Sequence, residues 1–314
     1  MIPVTCIVAV ADGTPVPGLK REDFRVFDNG AEQTISYFDA SNQPAGVALV
    51  IDASPSVLRD AEEMRAAADA LVDELAPLDQ AAVVDFSAHT YLQLPFSDVR
   101  ELVRRAVARV DVRELLGDTG GSNIYEAVWL TGREIFHGRT GRKAIVLLTD
   151  GQDSGLGLTF DPVSASLQPG KPRDQLTFDD VARTLTAEDI QVFVVSTENR
   201  PKVMTPAWLE AHRGSTLLAP ASRKLGIPLY TLYLAELVRR SGGQLYFLRE
   251  SKTMADAFRT IAQRIRAEYT LGYYLSSGSN EASFAGWHNL QVELVGHEGV
   301  LVEHRAGYYV AASR

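Results

Sequence analysis

The chain has very little cysteine: Cys6 is the one cysteine among 314 residues. With a single thiol, an internal disulfide, a zinc cluster of cysteines and a Cys-x-x-Cys redox motif are all excluded. Sulfur chemistry therefore gives no information about the compartment in which the protein works.

Basic residues are fewer than acidic ones, and they do not cluster. The sequence has 31 Lys and Arg against 40 Asp and Glu, which gives a formal net charge of -9. Because nucleic-acid binding needs clustered Lys and Arg to contact phosphates, we expect no nucleic-acid partner. An acidic surface can instead attract divalent cations.

Long apolar runs are also absent. No uninterrupted apolar stretch reaches the roughly 20 residues that span a bilayer, so direct membrane insertion is not expected. Residues 1–4 lack the basic and apolar regions of a signal peptide. We therefore expect either a cytoplasmic protein or a chain whose leader has been removed.

Common catalytic motifs are missing. The six histidines show no metal-ligand spacing, and the chain has neither a Gly-x-Ser-x-Gly elbow nor a phosphate-binding P-loop. A hydrophobic fraction of 46% and a charged fraction of 23% are typical of a soluble globular protein with a substantial core. The basic pairs Arg239-Arg240 and Arg264 with Arg266 are expected on solvated helix faces.

The first 44 residues predict short strands joined by turns. Asn29-Gly30 lies between strand-like segments at 24–27 and 34–38. This pair is a strong hairpin signal because both residues tolerate positive φ. Asp12-Gly13 marks a second turn.

From about residue 45 to residue 267, strand and helix patterns alternate. This alternation predicts a doubly wound α/β fold, with a mostly parallel sheet and helices on both of its faces. The predicted strands are 47–51, 82–86, 91–94, 144–148, 192–195 and 245–248. The helical patterns cover 58–75, 99–110, a segment from about 123, 178–185, 229–240 and 254–265.

After residue 267 the helical period disappears, and strands are predicted at 269–275, 289–295, 300–304 and 308–310. Because each strand-only end is too small to fold alone, we expect residues 1–44 and 268–314 to pair into one β-sandwich. The α/β domain, residues 45–267, is then inserted between its two halves. Two independent β appendages are the alternative.

Two connections, residues 152–177 and 197–227, are longer than usual for an α/β unit. Each follows a predicted strand and so leaves from the carboxyl edge of the sheet. The second contains a helix start at Thr205-Pro206. We expect both segments to stand over the edge that carries Asp52.

Polar side chains collect at that edge. Asp52, Ser54 and Ser56 follow the apolar strand 47–51, Ser122 follows Gly120-Gly121 before a helix, and Asp150 ends the strand 144–148. Open α/β sheets bind ligands at the carboxyl ends of their strands. Each residue alone could cap a helix or form a turn, but their joint occurrence predicts a binding site.

Together these residues closely resemble the metal-ion-dependent adhesion site of von Willebrand factor type A domains, and the resemblance covers roughly residues 46–266. It implies a von Willebrand factor A/Rossmann-like fold in which Ser54, Ser56 and Ser122 bind a divalent cation directly. Asp52 and Asp150 would act through water. The family usually has Thr where this chain has Ser122; Thr119 is a second candidate for that position.

The resemblance implies a protein-binding module and not an enzyme. Mg²⁺ suits hydroxyls and water-bridged carboxylates, with Mn²⁺ or Ca²⁺ as alternatives. The ion stays short of negative charge, so an Asp or Glu of a partner protein would complete its shell. The other hypotheses are a metal-dependent phosphohydrolase, with Asp52 as nucleophile or the ion as Lewis acid, and a structural module with a relic metal site.

The two ends of the chain carry a softer resemblance. Residues 18–30, 269–274 and 305–309 are similar to the segments that flank the A domain in a bacterial group common among Acidobacteria. Those relatives are mostly expected to be exported. This similarity implies an extracytoplasmic location: periplasmic, cell-surface or secreted.

Overall fold

The computed structural model describes residues 1–10, 14–40, 44–57, 59–110, 121–156, 158–161, 166–169, 176–212, 217–218, 225–248, 254–275 and 286–310. The predicted turn at Asp12-Gly13 and the candidate Thr119 lie outside these residues. No helix among them is long and apolar enough to cross a membrane.

A six-stranded sheet forms the centre of the molecule, and its first five strands are parallel. The sixth strand, at one edge, is antiparallel to its neighbour. In spatial order the strands are β12 (Leu245–Phe247), β11 (Gln191–Ser196), β8 (Arg142–Thr149), β5 (Ala45–Asp52), β6 (Gln80–Phe86) and β7 (Thr90–Ser97).

Helices cover both faces of this sheet because successive residues of a buried strand point to opposite sides. Val47, Leu49 and Ile51 of β5 face one apolar cluster, while Ala48 and Val50 face the other. The first cluster includes α1 (Ala61–Glu74), α2 (Arg100–Arg109) and α7 (Met254–Arg266). The second includes α3 (Ile124–Leu130), α4 (Phe178–Ala187) and α6 (Leu229–Ser241).

The shorter elements lie in the connections. A helix, α5 (Pro206–Ala211), begins at the predicted Thr205-Pro206 pair, and a π-helical turn, Thr131–Ile135, extends α3. Two 3₁₀ turns occupy Arg21–Asp23 and Pro55–Val57. A hairpin of β9 (Leu158–Asp161) and β10 (Ser166–Pro169) belongs to the segment that follows Asp150.

Strands from both chain ends form two antiparallel sheets. One contains β15 (Val300–His304), β1 (Ile2–Val10), β13 (Glu268–Tyr273) and β4 (Tyr37–Asp39). The other contains β16 (Gly307–Val310), β14 (Gly286–Leu294), β2 (Phe24–Asp28) and β3 (Ala31–Gln33). Side chains of both sheets share one apolar core. The expected α/β fold with an added β-sandwich is thus confirmed, while the boundaries at residues 45 and 267 stay a prediction.

The predicted hairpin at Asn29-Gly30 joins β2 to β3, and both residues have positive φ, 48° and 81°. Its second strand is Ala31–Gln33, earlier than the sequence suggested. Tyr37–Asp39 pairs instead with β13 in the other sheet. The sequence predicted one strand over residues 34–38. The chain instead crosses from one sheet to the other between Ala31–Gln33 and Tyr37–Asp39.

The expectation of solvated arginines is wrong for Arg264, Arg239 and Arg240. Arg264 is only 5% exposed and is paired with Glu303 of the β-sandwich. Arg239 and Arg240 both bind the buried carboxylate of Glu236 at 2.7 Å. Other elements pack against their helices on the side that carries these arginines. The local periodicity of the sequence does not reveal this packing.

Candidate functional site

Asp52 is the centre of a hydrogen-bonded cluster at the carboxyl edge of the central sheet. Its carboxylate is 2% exposed because β5 is buried along its whole length. Oδ1 accepts the backbone N–H of Ser54 at 3.0 Å. Oδ2 accepts the hydroxyls of Thr149 at 2.6 Å and Ser122 at 3.3 Å. Asp52 therefore links three separate connections of the sheet.

Ser54 and Ser56 lie in the short turn that follows Asp52. The turn is anchored by the N–H of Ala53, which donates to the carbonyl of Phe86 in β6 at 2.7 Å. The two serine hydroxyls are 3.0 Å apart; Ser54 is buried and Ser56 is exposed. The turn thus presents a pair of hydroxyl oxygens beside a buried carboxylate.

Helix capping does not explain this turn. The following helix, α1, begins at Ala61, and its N-cap position is Asp60. Asp52 Oδ1 is used within its own turn, and Asp52, Ser54 and Ser56 all precede the first turn of α1. None of the three residues therefore caps α1, although Ser54 directly precedes the 3₁₀ turn Pro55–Val57.

Ser122 is brought to Asp52 by a loop that is fixed from two sides. Its N–H donates to Ser154 Oγ at 2.9 Å, and that hydroxyl donates back to the Ser122 carbonyl at 3.0 Å. The N–H of Asn123 donates to the carbonyl of Ser87 at 2.8 Å. Gly121 has a φ of +88°, and a Cβ there would clash with Ser154. Glycine is required at this position for both reasons.

Asp150 follows β8 in the sequence Thr149-Asp150-Gly151. The N–H of Gln152 donates to Asp150 Oδ1 at 2.9 Å, and the N–H of Gly151 donates to Thr149 Oγ1 at 3.0 Å. Gly151 has a φ of +88°, and a Cβ there would lie 2.8 Å from Leu234 Cδ1 in α6. The tight turn holds Asp150, 3% exposed, at the edge of the sheet.

The two carboxylates oppose each other's ionisation. Burial raises the pKa of Asp52 well above its ordinary value, and the charge of Asp150 raises it further. Burial also raises the pKa of Asp150, while a hydrogen bond from Ser56 lowers it. Among the residues that the structure describes, no lysine or arginine forms an ion pair with either carboxylate. Within the described residues, the two carboxylates therefore lie at the site without a basic side chain to balance their ionised forms.

Sequence patterns did not identify Thr149, Asp153 and Ser154 as parts of this site. Thr149 shares Asp52 Oδ2 with Ser122, and Ser154 braces Ser122. Asp153 is 5% exposed and accepts the N–H of Leu156 at 2.8 Å; burial raises its pKa to about 6. The one available signal was the position of Thr149 directly before Asp150.

One rim of the site contains Glu198, from the start of the second long segment, and Tyr230 of α6. Tyr230, in the first turn of α6, lies next to Gly151. Burial raises the pKa of Tyr230 to about 12, with further contributions from the charges of Glu198 and Asp150. Glu198 follows β11. Glu198, at the start of the segment after β11, thus lies at the expected edge.

A family model supports the identity of this region. Residues 47–152 match the model of the von Willebrand factor type A domain. This range includes Asp52, Ser54, Ser56, Ser122 and Asp150. Domains of this type are generally protein-interaction modules that use a divalent cation and are not enzymes. No curated protein matches the chain.

Several solved structures are similar to the chain. An aerotolerance-related membrane protein from Bacteroides fragilis is 17% identical, with a TM-score of 0.47, over 70% of this chain and 98% of its own. Proximal thread matrix protein 1 from the mussel byssus, with a zinc-occupied MIDAS motif, is 14% identical, with a TM-score of 0.48, over 76% and 49%. A von Willebrand factor type A protein from Catenulispora acidiphila is 14% identical, with a TM-score of 0.44, over 92% and 74%.

Proposed function

We propose that this chain is a divalent-cation-dependent protein-binding module and not an enzyme. Asp52, Ser54, Ser56, Ser122 and Asp150 would form its cation site. The observation that carries the proposal is the convergence of three sheet connections on Asp52, whose Oδ2 lies 3.3 Å from Ser122 Oγ. The hydroxyls of Ser54 and Ser56, 3.0 Å apart, complete a set of oxygen donors.

The donor set fits a hard divalent cation. Every candidate atom is an oxygen, which suits Mg²⁺ first, and Mn²⁺ or Ca²⁺ as well. The hydroxyls of Ser54, Ser56 and Ser122 would bind the ion directly, whereas Asp52 and Asp150 would act through water. A bound cation would also favour the ionised forms of the two buried carboxylates, which have no Lys or Arg ion-pair partner among the described residues.

The partner would be a protein that presents an Asp or Glu side chain. Neutral hydroxyls in direct contact leave the ion with most of its positive charge, so a carboxylate from outside is attracted to it. The rim beside Asp150, with Tyr230 and Glu198, would add contacts that select among partners. The function of the bound ion here is recognition, and no residue is required to act as a nucleophile or a general base.

The cation site is tested by thermal unfolding with Mg²⁺, Mn²⁺, Ca²⁺ or EDTA. A cation at a hundred times its dissociation constant stabilises the folded state by about 2.7 kcal/mol. We expect this gain in the native chain and its loss in Ser54→Ala and Asp150→Ala. Ser36→Ala is the matched control, because Ser36 is an exposed serine far from the site in the β-sandwich. Equal gains in all four proteins would refute the assignment.

Recognition of a carboxylate is tested separately with a peptide array. Peptides that contain Asp or Glu are compared with the same peptides carrying Asn or Gln, in Mg²⁺ and in EDTA. We expect binding that needs both the acidic residue and the metal. Binding that persists in EDTA, or that ignores the acidic residue, would contradict the cation bridge. Turnover of a phosphate ester that disappears in Asp52→Asn would support the phosphohydrolase instead.

We further propose a bacterial origin and a place outside the cytoplasm, as the similarity of the terminal segments implies. An extracytoplasmic module would meet partner proteins at the cell surface or in the periplasm. Cell fractionation with an antibody against the chain tests this location. Recovery only with cytoplasmic markers would refute it.

A further inference from the structure

Ser154 is hydrogen-bonded to both backbone polar groups of Ser122, one of the residues of the proposed cation site. The N–H of Ser122 donates to Ser154 Oγ at 2.9 Å, and this hydroxyl donates to the Ser122 carbonyl at 3.0 Å. The N–H of Ser154 donates to the same carbonyl at 2.7 Å. Three hydrogen bonds from one residue thus fix the backbone of another that lies 32 positions away in the chain.

This fixed backbone matters because a serine side chain does little to direct its own hydroxyl. A β-branched side chain such as that of threonine is restricted at χ1, whereas the single Oγ of Ser122 is not. Ser122 is 4% exposed, and its Oγ donates to Asp52 Oδ2 at 3.3 Å. The direction of the Ser122 hydroxyl therefore depends on contacts that other segments of the chain make with it.

The loop that carries Ser122 packs closely against Ser154. Gly121 has a φ of +88°, and a Cβ at this position would overlap Ser154 Oγ, so the loop backbone lies directly against this hydroxyl. On the other side of the loop, the N–H of Asn123 donates to the carbonyl of Ser87 at 2.8 Å. The loop thus has two supports, and Ser154 supplies one of them.

Ser154 reaches the cation site through Ser122. Both hydrogen bonds of the Ser154 hydroxyl go to the backbone of Ser122, and the Ser122 hydroxyl in turn reaches Asp52 at 3.3 Å. Residues that orient a metal ligand from behind in this way change the metal affinity about 10- to 100-fold when they are replaced. The geometry is therefore that of a residue that orients a ligand.

We propose that Ser154 is a positioning residue of the cation site, which holds Ser122 so that the Ser122 hydroxyl can bind the ion. This role rests on the proposed function, because it needs a cation bound beside Asp52. Ser154 lies near the start of the long connection of residues 152–177. The start of this connection and the affinity for the cation are thus linked. Since linkage is reciprocal, a bound cation also stabilises the contact between Ser154 and Ser122.

Titration with Mg²⁺, followed by calorimetry, tests this role in four proteins: the native chain, Ser154→Ala, Ser122→Ala and the double variant. Ser154→Ala should weaken Mg²⁺ binding about tenfold or more. Ser122→Ala should weaken it at least as much. The double variant should bind Mg²⁺ no more weakly than Ser122→Ala, because Ser154 then has no ligand left to position.

Ser241→Ala is the matched control. Ser241 is 5% exposed, and its hydroxyl likewise accepts a backbone N–H, that of Val192 at 3.1 Å, and donates to a backbone carbonyl, that of Val238 at 3.4 Å. Val192 is the second residue of β11, so this contact lies at the opposite edge of the sheet from Asp52. Ser241→Ala and Ser154→Ala should lose similar stability to urea in EDTA. The Mg²⁺ affinity should fall in Ser154→Ala alone.

Amide hydrogen exchange of the native chain provides a measurement without any substitution, and it decides if Ser154→Ala does not fold. Exchange of the Ser122 N–H reports its hydrogen bond to Ser154 directly. Replacing EDTA with Mg²⁺ should slow this exchange about fivefold or more. The N–H of Val192, which donates to Ser241, should slow less. Equal slowing of the two amides, or none, would overturn the linkage.

The titrations distinguish failure of this role from failure of the cation site. Mg²⁺ binding that Ser122→Ala weakens and Ser154→Ala leaves unchanged would overturn the role of Ser154 and leave the proposed function intact. Absence of Mg²⁺, Mn²⁺ and Ca²⁺ binding by the native chain would overturn both. A double variant whose loss of affinity is the product of the two single losses would show that Ser154 does not act through Ser122. Equal Mg²⁺ affinities of Ser154→Ala and Ser241→Ala would leave Ser154 with a structural role only.

Discussion

Replacing Glu268 with Gln should stabilise the protein increasingly as the pH rises from about 5 to 8. Glu268 is 4% exposed, and burial raises its pKa from 4.5 to about 8, with the Arg142 guanidinium opposing this rise and the charge of Asp189 adding to it. The unfolded chain releases this proton near pH 4.5, while the folded protein keeps it to about pH 8. The folded state is therefore fully favoured below pH 4.5 and loses stability as the pH rises towards 8.

The size of the effect follows from the interval between the two pKa values. The native chain loses about 1.4 kcal/mol of folding stability for each pH unit between the two pKa values. From pH 4.5 to pH 7 this is about two and a half pH units, so the loss is about 3 kcal/mol at pH 7. Glutamine has nearly the same shape and does not ionise. The variant should equal the native chain in stability near pH 4.5 and exceed it by about 3 kcal/mol at pH 7.

Urea unfolding followed by circular dichroism at pH 5, 6, 7 and 8 measures this difference. The raised pKa values of Asp52 and Asp153 also lower stability over this range, but they act equally in both proteins and cancel. Glu298→Gln, at an exposed glutamate of the sandwich, should follow the native curve. A difference that does not grow with pH, or a Glu268→Gln variant that is weaker throughout, would refute the reasoning.

Three further substitutions test the packing, each by urea unfolding. Gly151→Ala should cost about 2 kcal/mol and reduce the Mg²⁺-dependent gain in stability, because φ is +88° and the new Cβ would meet Leu234 at 2.8 Å. Asp28→Asn should cost about 2 kcal/mol, because this buried carboxylate accepts two tyrosine hydroxyls at 2.6 and 2.7 Å. Arg264→Met should cost about 3 kcal/mol by leaving Glu303 without its partner.

Two of these substitutions have a control that isolates the cause of the loss. Gly18→Ala has a similar φ of +81° but open space around the new Cβ, so it should cost only the backbone strain, about 1 kcal/mol. Adding Glu303→Leu to Arg264→Met should recover most of the lost stability. Equal losses for the two glycines, or no recovery in the double variant, would contradict the contacts described. Asp28→Asn without any loss would show that the tyrosine hydroxyls find other partners.

The sequence was sufficient wherever one local pattern decides the structure. The apolar run of β5 can only be buried, and Asn29-Gly30 can reverse the chain with positive φ. The edge occupied by Asp52 and Asp150 follows from the same logic, because parallel strands end on one side of a sheet. These patterns predicted the fold class and predicted that five polar residues lie at one edge of the sheet.

Arrangements that depend on distant segments were not accessible in this way. Ser154 meets Ser122 across 32 positions of the chain, and Glu303 reaches the buried Arg264 from the sandwich. The residues next to a helical arginine in the sequence predict that its side chain is exposed to solvent. The packing of the β-sandwich against that helix changes its environment, and no local period records this.

The sequence by itself determined which polar groups follow one another at the edge of the sheet. In chain order they are a carboxylate, two hydroxyls, a third hydroxyl and a second carboxylate. Only the tertiary structure decided that Thr149 and Ser122 share one oxygen of Asp52, and that Glu303 of the sandwich pairs with Arg264. The physical reason is that periodicity and turn chemistry act over a few residues. Burial and hydrogen-bond partners are set by segments that meet only when the chain has folded.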